Sequence, residues 1–324
     1  MRILLTTTSY QDTPGEHHAL LDGSGYEVVR ARGPLPEDEM LRLIGEHGGF
    51  DGLLNGDDAI TARVIDAALA APTPLKVIAK YGIGLDSIDV EHATRKQVPV
   101  LFTPGVNHTT VAEHAIGLMI AATKHFWPHM RAVKDGQWKR QTGTELAGKT
   151  LGVLGMGRIG KELIKRCRAF DMPAVAYDVF WDDEFARAYE VARCQEAESV
   201  LQQADVVSLH MPSNDETRQF INQRRIGLMK EGAILINTAR GTLIDEHAVA
   251  EACKAGRLKA YATDVLEHEP IQPPHVFQEI DNVIVTPHVA SRTFESVERQ
   301  ALRATHNVLN YLAGKEDFIQ ANEF

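Results

Sequence analysis

A glycine-rich turn near the middle of the chain constrains the fold more than any other feature. The apolar run Leu151–Leu154 leads directly into Gly155, Gly157 and Gly160, which follow the spacing GxGxxG. In a strand–turn–helix unit the first glycine permits the tight turn, the second lets the backbone approach a pyrophosphate, and the third lets helix and strand pack closely. The free N–H groups at the helix N-terminus then face the negative phosphates. The pattern therefore predicts a βαβ unit that binds a dinucleotide.

An acidic residue follows this turn at the distance that ribose recognition requires. The next apolar run, Ala174–Tyr177, ends at Asp178, about twenty residues beyond the glycines. A carboxylate at the tip of the second strand accepts hydrogen bonds from the ribose hydroxyls and repels a 2′-phosphate. We therefore expect NAD, rather than NADP, as the cofactor.

The length and composition exclude several classes of protein. With 324 residues, of which 44% are hydrophobic, the chain can build two domains with proper cores. No apolar run is long enough to span a membrane, and Met1–Leu5 is typical of a first strand rather than of a signal peptide. A net charge of −10 without a basic cluster argues against binding to nucleic acid or an anionic membrane. The three scattered cysteines suit the reducing cytoplasm, where we expect the protein to be located.

Strands alternate with helices along the chain in two series, the second of which begins just before the glycine-rich turn. Such alternation predicts parallel sheets with right-handed crossovers. The strands predicted for the first series are Arg2–Thr6, Tyr26–Arg30, Gly52–Leu54, Lys76–Ala79 and Val98–Phe102. Those predicted for the second series are Thr150–Leu154, Ala174–Tyr177, Val206–His210, Ala233–Asn237, Ala260–Asp264 and Val283–Thr286. Helices are predicted at Pro36–His47, Thr61–Ala70, Val90–Arg95, Arg158–Phe170 and Glu246–Ala255.

The predicted fold class is α/β, with two doubly wound parallel-sheet domains: a flavodoxin-like substrate domain and a Rossmann NAD-binding domain. We expect residues 1–103 together with 293–324 to form the substrate domain, and residues 104–292 to form the NAD-binding domain. The first domain is discontinuous in this scheme because the last predicted helix, Thr293–Ala313, follows the final strand and crosses back. A cleft between two such domains is the expected ligand site.

A long apolar helix, Thr109–Phe126, is predicted to join the two series. Its hydrophobic residues cover more of the circumference than one stripe, which indicates burial on several sides. Two interpretations remain open at this point: a helix of the domain core, or a helix that a second subunit also covers.

Side chains suited to the reduction of a 2-oxo acid follow three neighbouring predicted strands. Arg240, Asp264, Glu269 and His288 each lie at or just beyond the carboxyl end of such a strand, the edge at which these sheets bind ligands. Arginine binds a carboxylate bidentately, and histidine can donate a proton near neutral pH. A carboxylate bonded to the histidine favours the imidazolium and fixes its tautomer. Glu269 would supply this carboxylate, and Asp264 would face the nicotinamide.

Most of the 14 histidines are expected to be structural or exposed; they include His17, His18, His92, His108, His114, His210 and His268. His125 and His129 have a spacing that could bind a metal, but Pro128 interrupts the helix between them. The chain also lacks a His-Glu-x-x-His motif. No metal is therefore expected.

Taken together, these motifs resemble those of the D-isomer-specific 2-hydroxyacid dehydrogenase family, in particular its phosphoglycerate, glycerate and hydroxypyruvate branch. The matching segments run in the family's order and with its spacing over almost the whole chain. Besides the Gly155 turn they are Lys80–Asp89, Thr103–Asn107, Val111–His114, Asn237–Gly241, Thr263–Val265 with Glu269 and Pro270, and Thr286–His288.

The resemblance implies reversible hydride transfer between NADH and C2 of a small 2-oxo acid, such as hydroxypyruvate, glyoxylate, phosphohydroxypyruvate or a short sugar-derived oxo acid. It implies that Arg240 orients the substrate, that Glu269 and His288 form the acid–base pair, and that Asp264 contacts the carboxamide of the cofactor. The positions that match NAD-contacting residues are Thr110, Arg158, Ile159, Asp178, Thr238 and Ala239.

Two further properties follow from the resemblance alone. The backbone N–H groups of Gly82 and Ile83 are expected to bind the substrate carboxylate, as in an anion-binding nest. The family usually forms homodimers around the linking helix, which would be Thr109–Phe126 in this chain.

The loop after the third predicted strand departs from the phosphoglycerate-type relatives, which carry a phosphate-binding arginine there. This chain has Asn55–Asp58 at that place, with two adjacent acids. Acids beside the pocket would disfavour a second anionic group on the substrate, and Asn55 would bond to hydroxyl groups, so an uncharged hydroxylated tail is favoured. Alternatively, the acids point into solvent, and Lys80 and Arg140 reach a phosphate.

The rival function is that of an NAD-sensing binding protein of the corepressor type, built on the same fold and retaining the same residues. Such a protein is expected to carry an exposed apolar groove for peptides on its first domain and flexible tails, for which the sequence gives no sign.

Overall fold

The computed structural model describes the chain from Met1 to Phe324. It contains two compact units: unit 1 consists of Met1–Asn107 and Arg292–Phe324, and unit 2 consists of His108–Ser291. Unit 1 is therefore discontinuous in sequence. No helix is both long enough and apolar enough to cross a membrane.

Unit 1 is built around a five-stranded parallel sheet with the strand order β2-β1-β3-β4-β5. Its strands are β1 (Arg2–Leu5), β2 (Glu27–Arg30), β3 (Gly52–Asn55), β4 (Val77–Lys80) and β5 (Val100–Leu101). Its helices are α1 (Thr8–Asp12), α2 (Glu16–Asp22), α3 (Glu37–His47), α4 (Ala62–Ala70), α5 (Val90–Arg95) and α13 (Phe294–Leu312). The strand order is that of flavodoxin-like folds, which agrees with the fold predicted from the sequence.

The sheet of unit 1 is covered on both faces, because successive side chains of a strand point to opposite sides. Leu4 and Leu53 pack into the core on one face, whereas Ile3 and Leu54 pack into the core on the other. The second face is covered by α13, whose buried side chains include Val297, Ala301, Ala304 and Val308. This apolar stripe explains why the last helix belongs to the first unit although it follows the second in sequence.

Unit 2 contains a seven-stranded parallel sheet with the order β12-β11-β10-β9-β6-β7-β8. Its strands are β6 (Leu151–Leu154), β7 (Ala174–Tyr177), β8 (Val191–Arg193), β9 (Val206–Leu209), β10 (Ala233–Asn237), β11 (Leu258–Thr263) and β12 (Val283–Val285). Its helices are α6 (His108–Thr123), α7 (Phe126–Lys134), α8 (Arg158–Arg168), α9 (Asp183–Ala188), α10 (Ala197–Gln203), α11 (Gln223–Leu228) and α12 (Glu246–Lys254). The order reverses at β6, which lies between β9 and β7, so ligands are expected at the carboxyl end of this strand. The predicted fold class, two doubly wound parallel sheets, is confirmed.

The linking helix differs from its prediction. Instead of one helix over Thr109–Phe126, the structure has α6, which ends at Thr123, and α7, which begins at Phe126. His125 adopts the left-handed conformation, with φ of 53°, and so breaks the helical path. Pro128 then lies in the first turn of α7, where its missing N–H is not needed for a helical hydrogen bond. Sequence hydrophobicity alone does not reveal this break, because apolar residues continue on both sides of it.

Strand β5 is also shorter than predicted: it is restricted to Val100 and Leu101, within the predicted Val98–Phe102. The neighbouring backbone is satisfied by the C-terminal segment instead, since Ala321 N–H donates to the Val100 carbonyl at 2.8 Å. The Val100 N–H donates to Asn322 Oδ1, also at 2.8 Å. The C-terminal tail therefore covers the edge of the sheet that β5 would otherwise expose.

Candidate functional site

The three glycines of the turn after β6 meet different steric requirements. Gly155 has φ of +97°, and a Cβ atom added to it would lie 2.6 Å from the carbonyl carbon of His210. A Cβ atom added to Gly160 would lie 2.3 Å from the carbonyl oxygen of Gly155, whereas one on Gly157 would meet open space. The first and third glycines are therefore required by the turn itself. The second leaves an open approach to the N-terminus of α8, as the pyrophosphate of a dinucleotide requires.

Asp178 follows β7 and is held against the same turn. Its Oδ2 accepts a hydrogen bond from Met156 N–H at 2.5 Å, and its Oδ1 accepts one from Phe180 N–H at 2.7 Å. Each carboxylate oxygen can accept a second bond. The side chain is therefore fixed in position and keeps acceptor capacity for the ribose hydroxyls predicted to bind here.

The other positions predicted to contact NAD lie at three places in unit 2. Arg158 and Ile159 begin α8 and are exposed and half-buried, respectively, next to the open approach at Gly157. Thr110 is buried near the start of α6. Thr238 follows β10 and is buried, yet its Oγ1 has no hydrogen-bond partner within the protein. Because buried polar atoms are rarely left unpaired, this hydroxyl indicates a place where a ligand would supply the missing partner.

His210 lies at the carboxyl end of β9 and was expected to be only structural or exposed. Its backbone packs against Gly155, and its Nε2 lies 2.8 Å from Ser208 Oγ. Desolvation lowers the pKa of His210 to about 4, so the ring is neutral at pH 7. The feature of the sequence that could have indicated this contact with Gly155 is the position of His210, at the end of a strand whose neighbour carries the glycine-rich turn.

Arg240 lies on a tight turn after β10 that a buried amide holds in place. Asn237 donates from Nδ2 to the Arg240 carbonyl at 2.8 Å, and its Oδ1 accepts from Ala239 N–H at 3.0 Å. A Cβ atom on Gly241 would lie 1.9 Å from the carbonyl carbon of Leu266, so only glycine fits there. The half-buried Arg240 is thus carried by a turn with little freedom, as a substrate-orienting residue needs.

Glu269 and His288 form a hydrogen-bonded pair. His288 Nδ1 lies 2.7 Å from Glu269 Oε2, and both side chains are partly exposed, by 42% and 35%. The other carboxylate oxygen of Glu269 accepts from Leu266 N–H at 2.9 Å, which fixes the acid. If Nδ1 carries the hydrogen of this pair, a proton can be exchanged at Nε2. The geometry is that of an acid–base histidine with an orienting carboxylate.

Asp264 is placed differently from the other predicted residues of this group. Only 1% of its surface is exposed, and its carboxylate accepts hydrogen bonds from Thr286 Oγ1, Val289 N–H and Ala290 N–H at 2.6, 2.9 and 2.7 Å. These contacts hold the turn that carries His288. The predicted contact of Asp264 with the nicotinamide carboxamide stays a prediction.

In unit 1, the loop after β3 does not have the arrangement that the sequence suggested. Asp58 is completely buried and accepts from Thr6 Oγ1, Leu35 N–H and Gly56 N–H, so it points neither into a pocket nor into solvent. Asp57 is largely exposed and forms an ion pair with Lys80 Nζ at 2.6 Å. Both expectations, that the two acids lie beside the pocket or that both point into solvent, were therefore wrong for Asp58, because its carboxylate is buried among donors of its own unit.

Lys80 is committed to contacts within its own unit. Its side chain is 3% exposed, and Nζ donates to the Gly56 carbonyl and to Asp57 Oδ1, both at 2.6 Å. Asn55 is also buried; its Nδ2 donates to the Gly56 carbonyl, while its Oδ1 has no partner within the protein. The loop thus offers an unpaired amide oxygen rather than an ammonium group.

Gly82 follows β4 and has φ of +136°, a conformation that favours glycine. Its N–H donates to Thr103 Oγ1 at 3.0 Å, so binding of a substrate carboxylate at this N–H would have to displace or share that bond. Ile83 is exposed beside it. Arg140 belongs to unit 2, where it lies exposed in the irregular segment after α7.

Comparison with known proteins identifies a family for this chain. Residues 116–290 match the family model described as the NAD binding domain of D-isomer specific 2-hydroxyacid dehydrogenases. A glyoxylate reductase from Thermofilum pendens is 38% identical over 290 residues, which cover 87% of this chain and 83% of that protein.

Two further matches extend the comparison. A D-3-phosphoglycerate dehydrogenase from Archaeoglobus fulgidus is 37% identical over 293 residues, 90% of this chain but only 54% of that longer protein. Among solved structures, a Thermus thermophilus protein superposes with a TM-score of 0.89 at 36% identity, covering 99% of this chain and 100% of that one. The likeness therefore includes both units and does not by itself distinguish between substrates.

Proposed function

Because this chain belongs to the D-isomer-specific 2-hydroxyacid dehydrogenase family and is an NAD-dependent oxidoreductase of that kind, we propose that it reduces a small 2-oxo acid whose carboxylate is its only charged group. The candidates are hydroxypyruvate, glyoxylate or a short sugar-derived oxo acid. The observation that carries the reaction type is the 2.7 Å contact between His288 Nδ1 and Glu269 Oε2. A proton donor held in this way is what an alkoxide formed at C2 needs.

The proposed mechanism assigns one task to each group. NADH, when bound, supplies the hydride that adds to C2 of the oxo acid. Arg240 holds the substrate carboxylate and polarises the carbonyl, since a guanidinium binds a carboxylate through two parallel hydrogen bonds. His288 donates its Nε2 proton to the developing alkoxide, and Glu269 stabilises the imidazolium that precedes this transfer. In the oxidation, the neutral His288 accepts the proton of the substrate hydroxyl.

The residues of unit 2 fit the dinucleotide that this mechanism needs. The open approach at Gly157 and the N–H groups at the start of α8 suit the pyrophosphate, and Asp178 suits the ribose hydroxyls. Thr238 offers a buried hydroxyl without a protein partner. In unit 1, we propose that the N–H groups of Gly82 and Ile83 bind the substrate carboxylate.

The preference for a substrate without a second anionic group rests on the contacts that Lys80 already makes. Its Nζ already contacts the Gly56 carbonyl and Asp57, and a buried ammonium is costly to separate from its acceptors. The unpaired Oδ1 of Asn55 is an acceptor, which would attract a hydroxyl group and repel a phosphate. Both observations favour glyoxylate or hydroxypyruvate over phosphohydroxypyruvate.

The rival proposal, an NAD-sensing binding protein, gains nothing from the site. A sensor needs to bind the nucleotide, but it does not need a histidine that is paired with a fixed carboxylate. The named relatives are a reductase and a dehydrogenase.

The decisive experiment measures the oxidation of NADH, and in parallel of NADPH, with glyoxylate, pyruvate, hydroxypyruvate, phosphohydroxypyruvate and longer sugar-derived oxo acids. We expect the highest kcat/KM with NADH and a 2-oxo acid that carries a hydroxyl group and no second anionic group. A higher kcat/KM with phosphohydroxypyruvate would contradict the proposed substrate class. Loss of that preference in Arg140→Ala, but not in Lys139→Ala, would assign the binding of the phosphate to Arg140. Binding of NADH without turnover of any substrate would favour the sensor.

We further propose that the protein is a homodimer. Four apolar side chains of α7 are about half exposed, which is unusual for a helix facing only solvent: Phe126, Trp127, Met130 and Val133. This surface lies on the helix directly after α6, so the proposed interface is centred slightly later than the predicted Thr109–Phe126. Sedimentation velocity tests it: Trp127→Glu combined with Val133→Lys should yield monomers, whereas Phe294→Glu, at an exposed apolar residue of unit 1, should not.

A cytoplasmic location is also proposed. Cys167, Cys194 and Cys253 are all buried and form no disulfide. Thiols of this kind suit a reducing compartment, and immunofluorescence or cell fractionation would test the location directly.

A further inference from the structure

A chain of hydrogen bonds connects helix α6 to the turn that carries His288. His114, on α6, has its Nε2 3.0 Å from Thr286 Oγ1 and 3.5 Å from Asp264 Oδ1. Thr286 Oγ1 in turn lies 2.6 Å from Asp264 Oδ1. All three residues belong to unit 2, and nothing in the proposed mechanism requires His114 or Thr286.

The positions of the protons in this chain follow from what each group can donate. Thr286 has one hydroxyl hydrogen and two acceptors in reach, the Asp264 carboxylate at 2.6 Å and the Thr263 carbonyl at 3.3 Å. Because the carboxylate can only accept, two oxygens 2.6 Å apart require that hydrogen between them. The Thr286 oxygen must then accept from His114, which requires a hydrogen on His114 Nε2. The chain therefore runs in one direction, from His114 through Thr286 to Asp264.

Asp264 passes this constraint to the backbone around His288. Its carboxylate accepts from Val289 N–H and Ala290 N–H, and its own carbonyl accepts from His288 N–H at 2.9 Å. His288 has φ of +52°, in the left-handed region that residues other than glycine rarely adopt. A backbone in this region persists only where its surroundings determine it, and Asp264 supplies three hydrogen bonds to the three successive residues that begin with His288.

We infer that His114 and Thr286 are positioning residues for His288, and that they act through Asp264; this rests on the acid–base role proposed for His288. Thr286 fixes one oxygen of Asp264 and thereby the direction of both oxygens toward the turn. His114 fixes the rotamer of the Thr286 hydroxyl. Neither residue touches the reacting atoms in this proposal. Because Asp264 acts here through its bonds to the backbone around His288, we expect an effect on turnover rather than on the affinity for the cofactor.

The first test compares two substitutions of Thr286 with a control of the same kind. Thr286→Val removes the hydroxyl at nearly constant volume, Thr286→Ser keeps it, and Thr123→Val removes a buried hydroxyl that donates to the Met119 carbonyl on α6. We expect kcat to fall about tenfold or more in Thr286→Val, because small displacements of a catalytic group are costly. Thr286→Ser and Thr123→Val should stay within about threefold of the wild type, with the Kd for NADH little changed in every variant.

His114→Phe provides a second route into the same chain, and a double variant tests whether the two residues act together. If they belong to one network, His114→Phe with Thr286→Val should lose little more kcat than the more damaging single variant. Additive losses, an unchanged kcat in Thr286→Val, or a higher Kd for NADH with normal kcat would each overturn the inference. The last result would assign the hydrogen bonds of His114, Thr286 and Asp264 to cofactor binding instead.

A readout that does not depend on turnover separates this inference from the proposed function. The ring nitrogens of His288 can be assigned in ¹⁵N NMR spectra by comparison with His288→Asn. We expect the hydrogen bond at Nδ1 in the wild type and in Thr286→Ser, and its weakening in Thr286→Val. An identical His288 signal in all three proteins would overturn the positioning role, whereas an inactive wild type with the expected signals would count only against the proposed substrates.

Discussion

Glu269 connects His288 to the loop after β11: one carboxylate oxygen contacts the His288 ring at 2.7 Å, and the other accepts from Leu266 N–H at 2.9 Å. The backbone therefore fixes one oxygen of the Glu269 carboxylate, and the second oxygen contacts the histidine. Because this carboxylate holds the ring at Nδ1, it helps to set the orientation of Nε2.

Replacing Glu269 by Gln should therefore lower kcat by roughly 10²-fold, since a neutral amide neither stabilises an imidazolium nor fixes its tautomer as firmly. Steady-state kinetics and a fluorescence titration with NADH would separate turnover from binding. Glu267→Gln is a suitable control because this nearby acid pairs with Arg218 at 2.7 Å rather than with His288. Equal losses in both variants would refute the specific role of Glu269.

The contacts of Asp178 lead to a prediction about cofactor choice. Its carboxylate is held by the N–H groups of Met156 and Phe180, next to the glycine-rich turn. Replacing Asp178 by Asn removes the charge that repels a 2′-phosphate, so the ratio of kcat/KM for NADH to that for NADPH should fall roughly tenfold. Asp182 is a suitable control because its carboxylate pairs with Lys161. In Asp182→Asn the ratio should not change. An unchanged ratio in Asp178→Asn would place the ribose elsewhere.

The contacts of Asp58 lead to a prediction about stability rather than about catalysis. Its buried carboxylate accepts from Thr6, Leu35 and Gly56, three separate parts of unit 1. An amide nitrogen from Asp58→Asn would face a donor, and such a mismatch costs about 1–3 kcal/mol. Hydrogen-exchange mass spectrometry should show faster exchange in the peptides that contain these residues. Asp57→Asn, at a largely exposed acid, should leave the exchange of the Thr6 and Leu35 peptides unchanged.

The sequence predicted the fold and the residues of unit 2 more completely than the loop in unit 1. The glycine spacing, Asp178 and the strand ends that carry Arg240 and His288 follow from patterns local to the chain. The commitment of Lys80 to the carbonyl of Gly56 does not, because every residue has a carbonyl and its use as an acceptor leaves no trace in the sequence. Roles of side chains that depend on backbone partners were therefore the ones that required a structure.

Two other differences have the same physical origin. The break between α6 and α7 depends on the backbone conformation of one residue, His125, between two apolar segments. The chain from His114 to Asp264 joins residues that are far apart in sequence, so hydrophobic patterning indicated only that His114 lies on a helix. Long-range polar contacts of this kind are selected by the folded geometry, and no local pattern predicts them.

Stability at acidic pH should depend on His210, whose pKa burial lowers from 6.5 to about 4. Below pH 6.5 the unfolded chain binds a proton at this histidine that the folded protein does not, so the free energy of unfolding falls as the pH falls toward 4. The contribution that is present above pH 6.5 amounts to at most about 3 kcal/mol. Burial also lowers the pKa of His17 in unit 1, so this histidine makes the free energy of unfolding fall at acidic pH in the same way. The pH dependence should therefore not disappear entirely when His210 alone is replaced.

The measurement is urea-induced unfolding at pH 7.5 and pH 5, followed by tryptophan fluorescence. Trp127, Trp138 and Trp181 all lie in unit 2, so the signal reports on the unit that contains His210. His210→Gln should lose less stability than the wild type between these two pH values, because glutamine does not titrate. His247→Gln, at an exposed histidine of the same unit, should behave as the wild type does. The same loss in all three proteins would show that His210 is solvated and titrates as it does in the unfolded chain.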